Sequence, residues 1–455
     1  MQTTRNWIAA SIAGTLTTAV SAAVAQEPAR YPVILSSRWF HPQSPGDSLS
    51  TLRMVEGYRP DRIDWMYCTD ERQLTQLRER GVPYSLALNP QVPDSAGYTV
   101  RGRIEDLRGR RLVAPWMRNW KQKNAHWGCV NAPEFRETFH AQSRRLIDLG
   151  AYGLFVDDAR FNDHALAWGG CFCTHCVRAF AGYLRETEPA LVPADFDYRE
   201  YLRAKGYDSV PAHQAGIPFW KQFRAFQTAS VVRFLKTWRV EMERYAQRPL
   251  TFLTNNYAGR WNDIYAVFDV GIGELPPERV SATFIQEQVA AARARGKQQY
   301  FTLASGNEDD QLRALFLTAA AGSALVIPWD VMVTNQSKQA PRRYYGPMGL
   351  YQPVYEALRD NTAGGTPRLA TAPPERAPAV RTDTAGEVLQ AREYRVGDAR
   401  FALVRCRPEG GTHTLNVTGA EAPKVVFPDD SSVRVKKGRG HWLVQYEGEW
   451  LMMRW

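Results

Sequence analysis

The sequence predicts an α/β protein, a (β/α)8 TIM barrel with a C-terminal antiparallel β-sandwich domain. Three observations carry that reading. Short apolar runs recur with helical stretches between them, the signature of a βα repeat, and eight such units over about 330 residues match a barrel with insertions. No Gly-rich phosphate loop follows an early strand, which sets aside a doubly wound open sheet. Beyond a segment rich in Gly, Pro, Thr and Ala at 361–378, the pattern changes to short alternating strands separated by turn signals.

Residues 33–37 form the first expected strand, 63–68 the second, with a helix over 72–80, and 84–88 the third. A helix at 133–149 leads into the fourth strand. Asn131 suits its cap, Pro133 its first turn and Glu134 its N-terminal dipole. The fourth strand lies in GAYGLFVDD at 150–158, where Leu154, Phe155 and Val156 suit a strand buried on both faces. Strands five to eight are expected at 250–254, 268–272, 299–303 and 324–330. Insertions at 91–130, with a hairpin over 98–116, and at 160–230 are of the kind that shape a barrel's cleft. The C-terminal strands are expected at 388–394, 400–405, 412–417 and 442–446.

The expected division is a signal peptide at 1–25, a barrel at 26–365 and a sandwich at 366–455. Arg5, an apolar run over 7–20 and the AVA at 23–25 have the order of a secretory signal, too short and polar for a membrane span. Export to the periplasm or the medium is therefore expected, without a transmembrane segment. A formal charge of +10 is spread along the chain, reading as a solvated basic surface, with attraction to an acidic polysaccharide as the sharper alternative. No nucleic-acid-binding motif is present. Fourteen Trp, 20 Tyr and 19 Phe supply core, and also flat platforms of the kind sugar clefts use.

A buried carboxylate is costly unless paired or used, and acids at strand tips lie where parallel barrels build active sites. Glycosidic cleavage needs two of them, one giving a proton and one attacking or activating water. Asp157 is the candidate nucleophile, since it ends the most apolar strand. Strict alternation lets only one of Asp157 and Asp158 face the barrel mouth, the other holding a neighbour in place. The competing reading has Asp157 capping the next loop or paired with Arg160. Glu274 is the candidate acid: Gly271 and Gly273 allow close approach, and Leu275-Pro276-Pro277 suggests a dry flank that would raise its pKa. The Glu308-Asp309-Asp310 run reads better as a helix start. Arg38, Trp39, His41, Asn89, His126, Trp127, Asn255, Asn256, Tyr257, Trp329 and Asp330 add hydrogen-bonding and stacking groups at strand ends, as expected for a carbohydrate substrate.

Six cysteines occur, and in an exported protein disulfides are the default. Cys171, Cys173 and Cys176, however, crowd three thiols into six residues, where short bridges are strained. With Cys129 as a fourth ligand they suit a tetrahedral zinc site; His175 or His164 are substitutes for that fourth position. Such a closed site is structural, and no cofactor is expected for catalysis. Cys68 and Cys406 are expected as buried free thiols.

Cys129 followed by VNAPEFR, the helix, GLFVDD ending at Asp158, and CFCTHC ending at Cys176 together resemble the barrel glycosidases related to the α-amylase superfamily, often catalogued as hypothetical glycosyl hydrolases. The cysteine spacing is similar to the structural zinc site of thermophile-type bacterial β-galactosidases. The resemblance is sharp over 129–184 and does not reach the C-terminal domain. It implies that Asp157 matches the fourth-strand nucleophile of amylase-like and α-galactosidase-like barrels, and Glu274 the sixth-strand acid of the latter. The β-galactosidases instead carry Asn-Glu at the fourth-strand tip and a nucleophilic Glu on the seventh, where this chain offers only Glu308. The expected function is an exported glycoside hydrolase of an oligo- or polysaccharide, with a retaining mechanism. A non-catalytic carbohydrate-binding barrel and a metal-dependent barrel hydrolase are the alternatives.

Overall fold

In the computed structural model, the described residues are 31–36, 51–93, 97, 99–118, 125–191, 195–210, 216–303, 308–327, 354–356 and 358–359, followed by 375–376, 380–382, 388–396, 399–406, 412–418, 421–427, 433–447 and 450–455. Arg38, Trp39, His41, Trp329, Asp330, the side chains of Glu308 and Asp309, and the expected signal segment lie outside them.

Seven parallel strands run in chain order: β1 (Ile34–Ser36), β2 (Arg62–Met66), β3 (Tyr84–Leu88), β4 (Gly153–Val156), β5 (Thr251–Asn255), β6 (Val270–Leu275) and β7 (Gln298–Leu303). Residues 324–327 occupy the eighth place and close the ring. Leu325 bridges Phe301 of β7 and Ile327 bridges Leu35 of β1, both in parallel. The backbone bonds confirm it: Val326 N donates to Phe301 O at 2.6 Å and Ser36 N to Ile327 O at 2.7 Å. The strands are buried almost throughout, as a sheet covered by helices requires.

Helices α1 (Thr51–Tyr58), α2 (Glu71–Glu79), α3 (Pro133–Asp148), α4 (Phe161–Ala165), α5 (Thr174–Thr187), α6 (Tyr198–Ala204), α7 (Trp220–Ala246), α8 (Ala282–Arg293) and α9 (Glu308–Ala320) complete this part. Pro133 is in the first turn of α3 as expected, but the cap is Ala132, with no side-chain bond. Asn131 is spent elsewhere, its amide donating to Cys176 Sγ and Gln227 Oε1. The acidic run at 308–310 opens α9, as its dipole favours. In the 91–130 insertion, bridges pair Glu105 with Arg111 and Val113 with His126.

A buried polar network ties the strands together near their N-terminal ends. Asp64 of β2, wholly buried, accepts from Arg62 Nε at 2.8 Å, Ser85 Oγ of β3 at 3.0 Å and the Tyr152 hydroxyl before β4. Tyr300 of β7 lies 5.1 Å from the Arg62 guanidinium. Asp64→Asn keeps the shape but leaves Arg62 without its counter-charge. Such a broken buried pair costs about 3–5 kcal/mol, read as a lower urea midpoint at unchanged slope.

The C-terminal strands are β8 (Glu375–Arg376), β9 (Val380–Thr382), β10 (Val388–Val396), β11 (Ala399–Cys406), β12 (Thr412–Val417), β13 (Lys424–Phe427), β14 (Arg434–Lys437), β15 (Trp442–Glu447) and β16 (Trp450–Arg454). They form two antiparallel sheets, ordered β13-β16-β11-β10-β8 and β14-β15-β12-β9. Alternation divides the inner sheet. Ala402, Val404, Leu451 and Met453 pack with Leu415, Val417, Val444 and Tyr446 of the second sheet, while Phe401, Leu403 and Met452 join the barrel's own core. Phe401 meets Phe316 of α9 with ring centroids 5.4 Å apart.

Candidate active site

The C-terminal ends of β2, β4, β5 and β6 bring the predicted acids together. Asp157 follows β4 and is half-buried. Its Oδ2 accepts from the Tyr67 hydroxyl at 2.8 Å, and its Oδ1 accepts from Asp158 N at 3.0 Å and Asn255 Nδ2 at 3.3 Å. The same Asn255 nitrogen reaches Glu274 Oε2 at 3.4 Å. The two carboxylate oxygens are therefore no further apart than the sum of those two lengths. That bound on the nearer oxygens admits the about 5–5.5 Å carboxyl separation of a retaining pair. Arg160 does not pair with Asp157. Its Nε is held by Asp163 Oδ2 at 2.7 Å.

Local backbone explains why these groups converge. In β2 the partners pass from Ile63↔Tyr84 to Met66↔Leu86, one residue too many on β2. Trp65 absorbs the excess with φ 63°, a left-handed conformation unusual for an aromatic residue. The bulge re-aims the end of the strand, so that Tyr67 meets Asp157. Stacking of Trp65 on Phe155 of β4, centroids 4.6 Å apart, holds it there. Gly273 permits the β5 loop to cross β6 closely: a Cβ there would lie 2.7 Å from Gly259 N and 2.8 Å from Tyr257 O. The close approach expected of Gly271 and Gly273 is thus realised, and it draws Asn255 toward Glu274.

Several expectations are corrected. Alternation does not decide between Asp157 and Asp158, because the strand stops at Val156 and Asp158 is left-handed, φ 54°. Asp158 Oδ1 instead lies 4.0 Å from His164 Nδ1. The dry flank expected at Glu274 is absent: Glu274 lies within β6, exposed, and Pro277 is exposed as well. Trp127 is no stacking platform, being wholly buried with Nε1 donating to Phe161 O at 3.0 Å. Asn256, also buried, donates to Gln299 Oε1 at 2.7 Å. Asn89 Nδ2 reaches the Tyr67 hydroxyl at 3.5 Å, while His126 Nδ1 turns to Thr99 O at 2.9 Å.

Two residues complete the wall beyond those predicted. His164 of α4 contacts the Tyr257 hydroxyl at 2.8 Å. Trp116, 44% exposed, packs over His164 and against the edges of Trp127 and Trp168, with centroids 5.1, 5.9 and 5.2 Å away. An exposed ring so braced has the form expected of a stacking platform, which buried Trp127 lacks. Trp116→Ala is expected to raise KM about tenfold with little change in kcat, as loss of a stacking contact of about 1 kcal/mol or more does.

Burial, reinforced by the Arg160 charge, lowers the His164 pKa to about 4, so the ring is neutral at neutral pH. Unfolded, the same ring takes its proton near pH 6.5. The unfolded chain therefore binds more protons between these values. Stability is full above pH 6.5 and falls by about 3 kcal/mol as pH drops to 4. His164→Gln should flatten that part of the stability–pH curve measured by urea unfolding.

The cysteines form a second, separate centre. Cys129 Sγ lies 3.3 Å from Cys176 Sγ and 3.5 Å from Cys173 Sγ. All six cysteines are free thiols, Cys406 buried and Cys68 half-buried. Cys171 Sγ donates to Asn162 O at 3.2 Å and adjoins Cys176. These spacings are too long for S–S bonds of about 2.05 Å. They approach the about 3.8 Å edge of a tetrahedron with Zn–S bonds of about 2.3 Å. The amides of Asn131 and Asn162 donate to Cys176 Sγ at 3.4 Å each, the outer donors a thiolate cluster uses. Neither histidine substitutes: His175 faces Glu134 at 3.5 Å and His164 belongs to the aromatic wall.

No protein-family model matches the chain, and no curated protein is found similar to it. Among solved structures, an α-amylase from H. orenii is 9% identical with a TM-score of 0.43, over 93% of this chain and 99% of that one. The catalytic domain of a β-amylase from Paenibacillus polymyxa is 8% identical, TM-score 0.43, over 73% and 99%. The glycoside hydrolase domain of PelA from Pseudomonas aeruginosa is 13% identical, TM-score 0.36, over 64% and 92%. Likeness at this level lends no weight to a function, which rests on the residues themselves.

Proposed function

We propose that the protein is an exported glycoside hydrolase acting on an oligo- or polysaccharide by a retaining, two-carboxylate mechanism. The observation that carries this reading is the single Asn255 amide reaching both Asp157 and Glu274 from between their strands. Asp157, held by Tyr67 and Asn255, attacks the anomeric carbon as the C–O bond to the leaving group breaks. Glu274 gives its proton to the departing oxygen, then takes one from the water that hydrolyses the glycosyl–enzyme ester. Exposure of Glu274 to the mouth gives that water access. The signal-like pattern at 1–25 supports export.

The buried thiols of Cys129, Cys173 and Cys176, within 4.8 Å of one another, support a structural zinc ion, whereas Cys171, also expected as a ligand, lies outside that group with its thiol donating to Asn162 O. With Cys171 turned in to complete four thiolates the site would be closed to substrate, and the ion would fasten the loop around α4 without a part in hydrolysis.

The test is a panel of aryl glycosides and of plant and bacterial polysaccharides, with the product anomer followed by NMR from the first turnover. Release of sugar with the starting configuration supports the reading. Inverted product would refute the nucleophilic role of Asp157, and no cleavage of any member would favour a binding protein.

A further inference from the structure

A groove of about 550 Å³ opens at the N-terminal end of α7, lined among others by Ile217, Trp220, Lys221, Arg224, Ala225 and Thr228. Positions 221, 224, 225 and 228 follow one helical face. Lys221 and Arg224 are exposed on it, and among the described residues neither has a carboxylate partner. Thr228, at the inner end, donates to Asp163 Oδ1 at 2.9 Å. That carboxylate is already matched by Arg160, whose Nη2 and Nε both reach Oδ2. Among the described residues the groove therefore presents two uncompensated cations beside the buried Trp220, and no acid lines it.

Its position links it to the carboxylate pair. Asp163, to which Thr228 is bonded, immediately precedes His164, which faces Asp158 and Tyr257. The inner end of the groove and the carboxylate pair thus flank α4, on the order of 10 Å across, and Lys221 and Arg224 lie one to two turns further out along α7, a span of several sugar units. We propose, resting on the glycosidase reading above, that the groove is a subsite for an acidic sugar unit. Lys221 and Arg224 bind a uronate or sulfate group of the sugar chain. The substrate class is then an acidic polysaccharide.

The experiment is calorimetric titration of the full-length protein carrying Asp157→Asn, which keeps the ligand intact. The probes are alginate oligosaccharides, chondroitin sulfate oligosaccharides and malto-oligosaccharides of matched length, with polyphosphate as a polyanion that is not a sugar. Acidic sugars should bind at least about tenfold more tightly than neutral ones. Alginate and chondroitin sulfate separate carboxylate from sulfate recognition. Lys221→Ala with Arg224→Ala should cost about tenfold. Arg233→Ala with Lys236→Ala removes the same charge from exposed positions further along α7 and should leave affinity within twofold. Equal losses in the two pairs, equal affinity for acidic and neutral sugars, or binding of polyphosphate as tight as that of alginate would each overturn the proposal. Hydrolysis of neutral glycans by the wild type with no acidic preference would reject the groove alone. Acidic binding without hydrolysis of any glycan would reject the glycosidase reading and leave the groove standing.

Discussion

Asp157→Asn is expected to lower glycoside hydrolysis about 10³-fold or more, the loss associated with removing a group that acts directly on the reacting atoms. The substitution is nearly isosteric, and the carboxylate it replaces is half-buried at the strand tip rather than in the core. The amide keeps one acceptor oxygen, which serves either Tyr67 or the Asp158 N and Asn255 Nδ2 pair, at a cost of about 1–2 kcal/mol. The unfolding midpoint should therefore move by only a few degrees. Activity and stability separate in this variant, and that distinguishes a nucleophile from a structural cap. Rapid mixing of the wild type with an activated glycoside, followed by mass spectrometry of the denatured protein, should find one glycosyl unit on Asp157. A variant that keeps wild-type rates would remove Asp157 from the mechanism.

Cys176→Ser should act in the opposite way. Cys176 adjoins Cys129 and Cys171, and accepts from both Asn131 and Asn162. Purified wild-type protein is expected to carry one zinc per chain by elemental analysis, and the Ser variant none. Structural zinc contributes folding free energy directly, about 10–16 kcal/mol in small peptides. Here it would fasten only one loop on a large core, so a drop in unfolding temperature of about 10 °C is expected. Hydrolysis at 25 °C should persist, with KM raised, because Asn162 lies on α4 beside Asp163 and His164. Loss of turnover in proportion to zinc would instead make the metal part of the chemistry.

Much of the barrel was legible because strand burial on both faces writes itself as continuous apolar runs, as at 154–156. The two carboxylates and Asn255 were legible because polar residues at the ends of such runs have little structural reason to be there. What escaped has a physical reason in each case. Trp65 reads as an ordinary strand residue, and its left-handed turn is visible only in the register with β3. Trp116 and Trp127 are the same residue type in the same insertion, and the fold alone decides which is buried. In the sequence His164 stands near the cysteines and reads as a substitute ligand for them, while Tyr257, its partner in the fold, is 93 positions away. In the C-terminal region the expected strands are present, but β8, β9, β13 and β14 are too short to show alternation.

The placement of Phe401, Leu403 and Met452 in the same apolar cluster as the barrel has a bearing on how this chain can be cut or grafted. The inner C-terminal sheet is greasy on both sides, so it has no solvent-ready face to show if parted from α9. A barrel expressed alone would display the patch around Phe316, and the sandwich alone would display its counterpart. The C-terminal part is thus a fitted lining rather than a removable accessory. Shuffling it onto another barrel would require a matching α9 to travel with it.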